Sequence, residues 1–228
     1  MIAHKKEFYG GFVMFIGFWI VFAIGMSPLF NGQNILNYMD NLYNTISKKS
    51  SYYIPKVQKE AQEYKGQQVT LNLKSKNPEQ SERYAKLFRA GNAEVTVDGL
   101  DVKVTGGLGL MLDNMLQDAE LAFANDGDAI TAKYGMEPKL VIYAWWNALK
   151  DAQRDFNKQK MFKEAKIISK VQTRGIEPAY NYYGIKAENI KDKAVIVVVS
   201  LVGYVIYTLW FGFAILFMFE GWGLKLEH

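Results

Sequence analysis

Two long uncharged apolar runs, at about Phe8–Met39 and Ala194–Phe219, bracket roughly 150 residues whose apolar positions are periodic instead of continuous. Each run holds the ~20 apolar residues needed to cross a hydrocarbon core at 1.5 Å per residue. The pattern predicts two transmembrane helices holding both ends of one water-exposed domain. A signal peptide would have a shorter apolar region, of about 7–15 residues, ending in a small-x-small cleavage site. Here the first run is longer and leads into Pro28-Leu-Phe-Asn-Gly32, which reads as an uncleaved anchor.

Between the runs, three/four spacing of Ile35, Leu36, Met39, Leu42, Tyr43 and Ile46 predicts that the first helix continues from Asn31 to about Ser47. A second helical stretch then has Pro55 in its first turn and ends at Gly66. Gln68–Lys74 alternates as a half-buried strand with Val69, Leu71 and Leu73 on one face. Asn77-Pro78-Glu79 starts a helix to Ala90. Asp98-Gly99 then marks a hairpin between strands 93–97 and 100–104. These predict a three-stranded sheet with the helix on one face. Leu108, Met111, Leu112, Met115, Ala119, Ala122 and Phe123 stripe a further helix. A long helix from Pro138 carries the seam Trp145, Leu149, Ala152 and Phe156. The seam is lost at about Lys158–Lys163 and resumes at Phe162, Ala165 and Ile168, and Arg174-Gly175 with Pro178 predict the stop.

Lys/Arg asymmetry orients the chain. Lys5 and Lys6 precede the first span, and no basic residue follows it until Lys48, so the positive-inside rule puts the N-terminus in the cytoplasm. The predicted layout is a cytoplasmic tail (1–9), a first span (10–30), a mainly helical α+β extracytoplasmic domain with a small three-stranded sheet (31–192), a second span (193–219) and a cytoplasmic tail (220–228). Residues 226–228 resemble the start of an expression tag. The expected location is the inner, or plasma, membrane.

Composition narrows the chemistry. There is no Cys, and the two His are His4, in the tail, and His228, in the tag-like end. That excludes Cys/His zinc sites, Cys-held iron–sulfur clusters, His- or Cys-ligated haem and His-based triads. The net charge of +4 is too small for a nucleic-acid-binding surface, so no nucleic-acid partner is expected. No cofactor and no metal are expected either.

Several segments invite a sharper reading. Gly106-Gly107-x-Gly109 lacks both the Gly-x-Gly-x-x-Gly spacing and the Gly-Lys-Ser/Thr ending of phosphate loops, and reads as a tight turn. Asp126, Asp128 and Glu137 fit positions 1, 3 and 12 of a calcium loop. Ile130 and Thr131 break it, which leaves a helix cap. Lys150, Arg154 and Lys158, then Lys166, Lys170 and Arg174, form a basic ladder suited to a solvated face or to an anionic surface. Tyr180, Tyr182, Tyr183 and Trp222 are candidate interface anchors. The spans hold no Asp, Glu, Lys, Arg or His, whereas ion pathways usually retain one. Gly17 and Gly25 in the first span, with Ser200, Gly203, Thr208 and Gly212 in the second, offer small faces for helix–helix contact.

These features favour a non-enzymatic protein whose outer domain scaffolds or binds a partner. Its expected partners are the lipid bilayer and either further copies or other membrane subunits. An oligomeric pore is the alternative from another class. The layout also resembles that of polysaccharide chain-length regulators, which hold a periplasmic α/β domain between two terminal spans. That resemblance is one of topology and implies regulation of envelope polysaccharide assembly.

Overall fold

The computed structural model describes residues 2–224, so the tag-like 226–228 lie outside the described residues. The chain divides into a terminal unit, Met1–Ile46 with Glu188–His228, and a central unit, Ser47–Ala187.

In the terminal unit, α1 (Lys5–Gly25) and α10 (Ile190–Gly221) are each long and apolar enough to cross a membrane. They run antiparallel: His4 N–H donates to Gly221 O at 2.9 Å at one end, and the rings of Phe18 and Tyr207 stack at 4.2 Å further along. α1 does not continue into the next helix, as the apolar spacing had suggested. After Ser27-Pro28 the chain turns at Asn31-Gly32, with φ of 51° and 80°, and Phe30 bridges Gln33. Two successive positive φ values are what an Asn-Gly type I′ turn requires, and Pro28 cannot donate to a continuing helix. α2 (Ile35–Ser50) therefore starts afresh.

In the central unit, α3 (Ile54–Ala61) carries Pro55 in its first turn, and a 3₁₀ turn at Gln62–Tyr64 leads to β1 (Gln68–Lys74). α4 (Pro78–Ala90) is capped by Asn77, whose Oδ1 accepts from Gln80 N–H at 2.9 Å. β2 (Glu94–Asp98) and β3 (Asp101–Gly107) flank the two-residue turn Gly99-Leu100, and the antiparallel order is β1-β3-β2. Val69, Leu71, Leu73, Val102 and Val104 bury one face of this sheet. The strands and the hairpin lie where expected, but the turn is Gly99-Leu100 and not Asp98-Gly99, because Asp98 pairs with Asp101 and Gly99 takes the positive φ of 57°.

The Gly106–Gly109 segment is not a tight turn. β3 passes directly into α5 (Leu108–Phe123), and the glycines serve close packing. A Cβ on Gly109 would lie 2.9 Å from Tyr64 O, and one on Gly106 would lie 3.1 Å from Ala93. The expected stripe of α5 is buried throughout.

α6 (Gly127–Tyr134), which the apolar pattern did not predict, starts at Asp126, whose Oδ1 accepts from Ala129 N–H at 3.2 Å. α7 (Pro138–Lys158) buries Trp145, Leu149, Ala152 and Phe156 as expected. The chain bends at Lys160, φ 61°, into α8 (Phe162–Val171), where Ala165 and Ile168 are buried but Phe162 is 64% exposed. The stop expected at Arg174-Gly175 does not occur. A π-helical segment, Gln172–Ile176, carries the chain into α9 (Glu177–Asn181), with Pro178 in its first turn. Gly175 is there because Leu116 lies 3.0 Å from where its Cβ would be.

Candidate functional site

The basic ladder does not form one face. Lys150, Arg154 and Lys158 lie on α7, Lys166 and Lys170 on α8, and Arg174 in the π-helical segment. Its charge is partly spent within the domain. Arg154 pairs with Asp151 at 3.2 Å, Lys170 pairs with Glu60, Lys150 sits 5.2 Å over the Trp146 ring, and Arg174 sits 4.7 Å over Tyr53. Lys166 and Lys170 line an open groove of about 500 Å³ between α7 and α8, with Gln153, Asn157, Ser169 and Phe162. Spacings of three and four put Tyr143, Trp146, Lys150, Gln153 and Asn157 on one stripe of α7, so the groove continues an aromatic patch. Within that patch the Tyr143 and Trp146 rings are nearly parallel at 6.3 Å, and Tyr180 is 6.1 Å from Tyr143.

Of the three candidate tyrosine anchors, Tyr180 is exposed while Tyr182 and Tyr183 pack against the domain core. Trp222 lies just past α10, exposed, with its ring edge-on to Phe8 at 6.1 Å.

Two polar clusters in the central unit were not picked out from the sequence. In the first, Asp118 is fully buried at the junction of α5, α6 and α7. It accepts from Lys133 Nζ at 2.7 Å, Tyr134 OH at 2.6 Å and Trp145 Nε1 at 2.8 Å. Asn114 accepts from the same Lys133 at 2.5 Å and donates to Tyr134 OH at 3.2 Å. Burial and the neighbouring Asp118 carboxylate push the Tyr134 phenol well above its ordinary value. Every oxygen of this buried carboxylate has a donor, which is what allows a charge to remain there.

The second cluster gathers the ends of the central unit. Lys48, only 2% exposed, donates to Asn125 Oδ1 at 3.1 Å, Tyr182 O at 3.1 Å and Ile185 O at 2.5 Å, and lies 5.0 Å over the Phe123 ring. Asn125 also accepts from Gly184 N–H at 2.7 Å and donates to Ile185 O at 3.0 Å. The residues where the chain enters and leaves this unit are thereby tied to one ammonium held by neutral oxygens. Its burial lowers the Lys48 pKa.

Beside it, Tyr52 OH donates to Glu120, and that hydrogen bond, with desolvation and the carboxylate charge, pushes the phenol up to about 12. Between its ordinary value of 10 and about 12, folded Tyr52 keeps a proton that the unfolded chain has lost. The unfolded state then binds fewer protons, so stability falls as pH rises through this window. Tyr52→Phe is expected to make the alkaline decline in denaturant-measured stability shallower over that range. An unchanged slope would show that Tyr52 does not contribute.

Asp126 and Glu137, the carboxylates that suggested a calcium loop, are both spent on helix caps. Glu137 accepts from Lys139 N–H at 3.1 Å and Leu140 N–H at 2.9 Å. Among the described residues, no three His, Cys, Asp or Glu side chains come together as metal ligands would.

In the terminal unit, the small residues take different roles. Gly11 makes the close approach, for its Cβ would lie 2.7 Å from Ala214 O and 2.8 Å from Met218 N. Gly221 is as tight, against the backbone N of Phe8. Gly17 faces Trp210 at 3.1 Å and Gly25 faces Ile35 at 3.2 Å, whereas a Cβ on Gly203 or Gly212 would meet nothing within 4 Å. Gly203 and Gly212 are nine residues apart, about 2.5 turns, so they lie on opposite sides of α10 and not on one face. Ser200 bonds Tyr43 OH at 2.8 Å, and Thr208 donates back to Tyr204 O at 3.0 Å on its own helix. Trp210 Nε1 donates to Met14 O at 3.0 Å and Tyr207 OH to Phe18 O at 3.3 Å, so both find acceptors across the helix pair. Comparisons with models of protein families, with curated proteins and with solved structures find no match for this chain.

Proposed function

We propose that the chain is a two-span, non-enzymatic membrane protein whose central domain binds a partner, as a homo-oligomer or as an accessory subunit of a membrane complex. In this reading both tails are cytoplasmic and the domain is extracytoplasmic, in a bacterial-type inner membrane. The supporting observation is the self-contained α1–α10 pair. The polar tips of Trp210 and Tyr207 are bonded inside the pair, which is the condition for polar groups to reside in hydrocarbon. A pair closed in this way suits an anchor, and leaves recognition to the domain it carries.

The absence of cysteine gives a clean topology test. Lys76, exposed ahead of α4, is replaced by Cys and intact cells are treated with a membrane-impermeant maleimide. Labelling is expected; labelling only after lysis would reverse the orientation. Gentle purification of the full chain from its native membrane then tests the partner. A defined multiple of itself, or foreign subunits at fixed stoichiometry, is expected, and a lone monomer would overturn the reading.

A further inference from the structure

The two edges of the three-stranded sheet are treated differently. In an antiparallel ladder, alternate residues of an edge strand bond to the neighbour while those between turn their N–H and C=O outwards. Asp98 and Asp101 close a two-residue turn with Gly99 first, at φ 57°, the type II′ arrangement. That register bonds Glu94, Thr96 and Asp98 to β3 and turns the backbone of Val95 and Val97 outwards. Arg89 agrees with it, donating to Val95 O at 3.2 Å.

On β1 the same phase turns out Thr70 and Asn72, and the end of α7 with its C-cap residue Gln159 covers both. Asp155 Oδ2 accepts from Asn72 N–H at 2.8 Å, and Gln159 Nε2 donates to Thr70 O at 3.0 Å. β2 is covered only at Val95 O, by Arg89. Among the described residues, nothing outside the ladder bonds the N–H of Val95 or either backbone group of Val97.

An open edge invites a strand, and its flanking charges select which. Glu94, Thr96 and Asp98 are all exposed and share the face opposite Val95 and Val97. A second copy paired antiparallel about Thr96 would set Glu94 against Asp98 twice, and like charges directly opposite are destabilising. We infer that the β2 edge receives an extended segment of another protein, with Lys or Arg at the two positions opposite Glu94 and Asp98. Its backbone bonds the N–H of Val95 and both backbone groups of Val97, extending the sheet to four strands. This rests on the reading of the domain as a partner-binding module and names the chemistry of that partner.

The test uses isotope-labelled full chain in micelles and two synthetic peptides, Lys-Val-Thr-Val-Lys and Glu-Val-Thr-Val-Glu. Saturating amide shifts at Val95, Thr96 and Val97 are expected with the basic peptide, with affinity about tenfold or more above the acidic one. N-methylation of the basic peptide at alternate residues should abolish the shifts while keeping its charge. Val97→Pro, which removes an outward N–H at a position an edge strand tolerates, should do the same. Equal binding of both peptides, retained binding of the N-methylated one, or no shift at millimolar concentrations would each overturn the inference. So would concentration-dependent self-association mapped to β2. Failure here leaves the labelling and co-purification results standing, so the two readings are tested separately.

Discussion

Replacing Asp118 with Ala is expected to destabilise the folded chain by about 3–5 kcal/mol, the cost of removing one partner from a buried ion pair. The carboxylate is fully buried and holds three donors on two helices, Lys133 and Tyr134 on α6 and Trp145 on α7. The Lys133 side chain is 29% exposed and can turn towards water, but the Trp145 N–H and the Tyr134 OH cannot. Each stranded polar group costs about 1–3 kcal/mol. Against a marginal stability of about 5–15 kcal/mol, that is a large fraction. Urea unfolding followed by tryptophan fluorescence would measure the loss. Asp118→Asn keeps the acceptor oxygen and should fall between the two. A change below about 1 kcal/mol for Asp118→Ala would mean that the cluster is solvated in the folded state.

Gly11→Leu is expected to separate α1 from α10. A Cβ at residue 11 would meet backbone atoms of Ala214 and Met218 at 2.7 and 2.8 Å, and backbone cannot rotate away as a side chain can. Overpacking of this kind costs about 1–3 kcal/mol where neighbours can shift, and more where they cannot. Little but close packing and a few bonds holds helices together in lipid, so such a cost is enough to unpair them. Cysteines replacing Phe15 and Phe211, whose rings lie 6.1 Å apart, should cross-link in the parent chain and fail to do so with Gly11→Leu. Gly212→Leu, which meets open space, should leave cross-linking unchanged. Retained cross-linking in Gly11→Leu would place the helix contact elsewhere.

Elements with a strong local signal were legible before the fold was known. β1, α4, the Asp98-Gly99 hairpin and the α5 stripe follow from alternation, Asn77-Pro78 capping and three/four spacing, all of which act over a few residues. Errors arose where a local signal met a tertiary demand. Gly175 and Pro178 read as a helix stop, yet the chain stays helical through a π-segment, where the glycine serves the close approach of Leu116 and Pro178 falls in the first turn of α9. Phe162 fits the apolar spacing of α8 but lies outward. The Asn31-Gly32 turn was present in the sequence and was outweighed by apolar spacing that continues on either side of it.

By itself, the sequence determined the two membrane-length helices, the three-stranded sheet between helices and the lack of cysteine with only two histidines. All three depend on composition or on the period of the pattern, which need no knowledge of distant contacts. Only the tertiary structure decided which polar groups were spent and which were left open. Asp118 and Lys48 look like ordinary surface residues in the chain, and their burial depends on partners 15 to 137 positions away. The basic ladder, continuous in spacing, is divided by the bend at Lys160 and partly neutralised by Glu60 and Asp151. Which sheet edge stays open is likewise a matter of register and of where α7 lies, since covering β1 takes side chains from the end of α7 and its C-cap, more than 80 residues downstream.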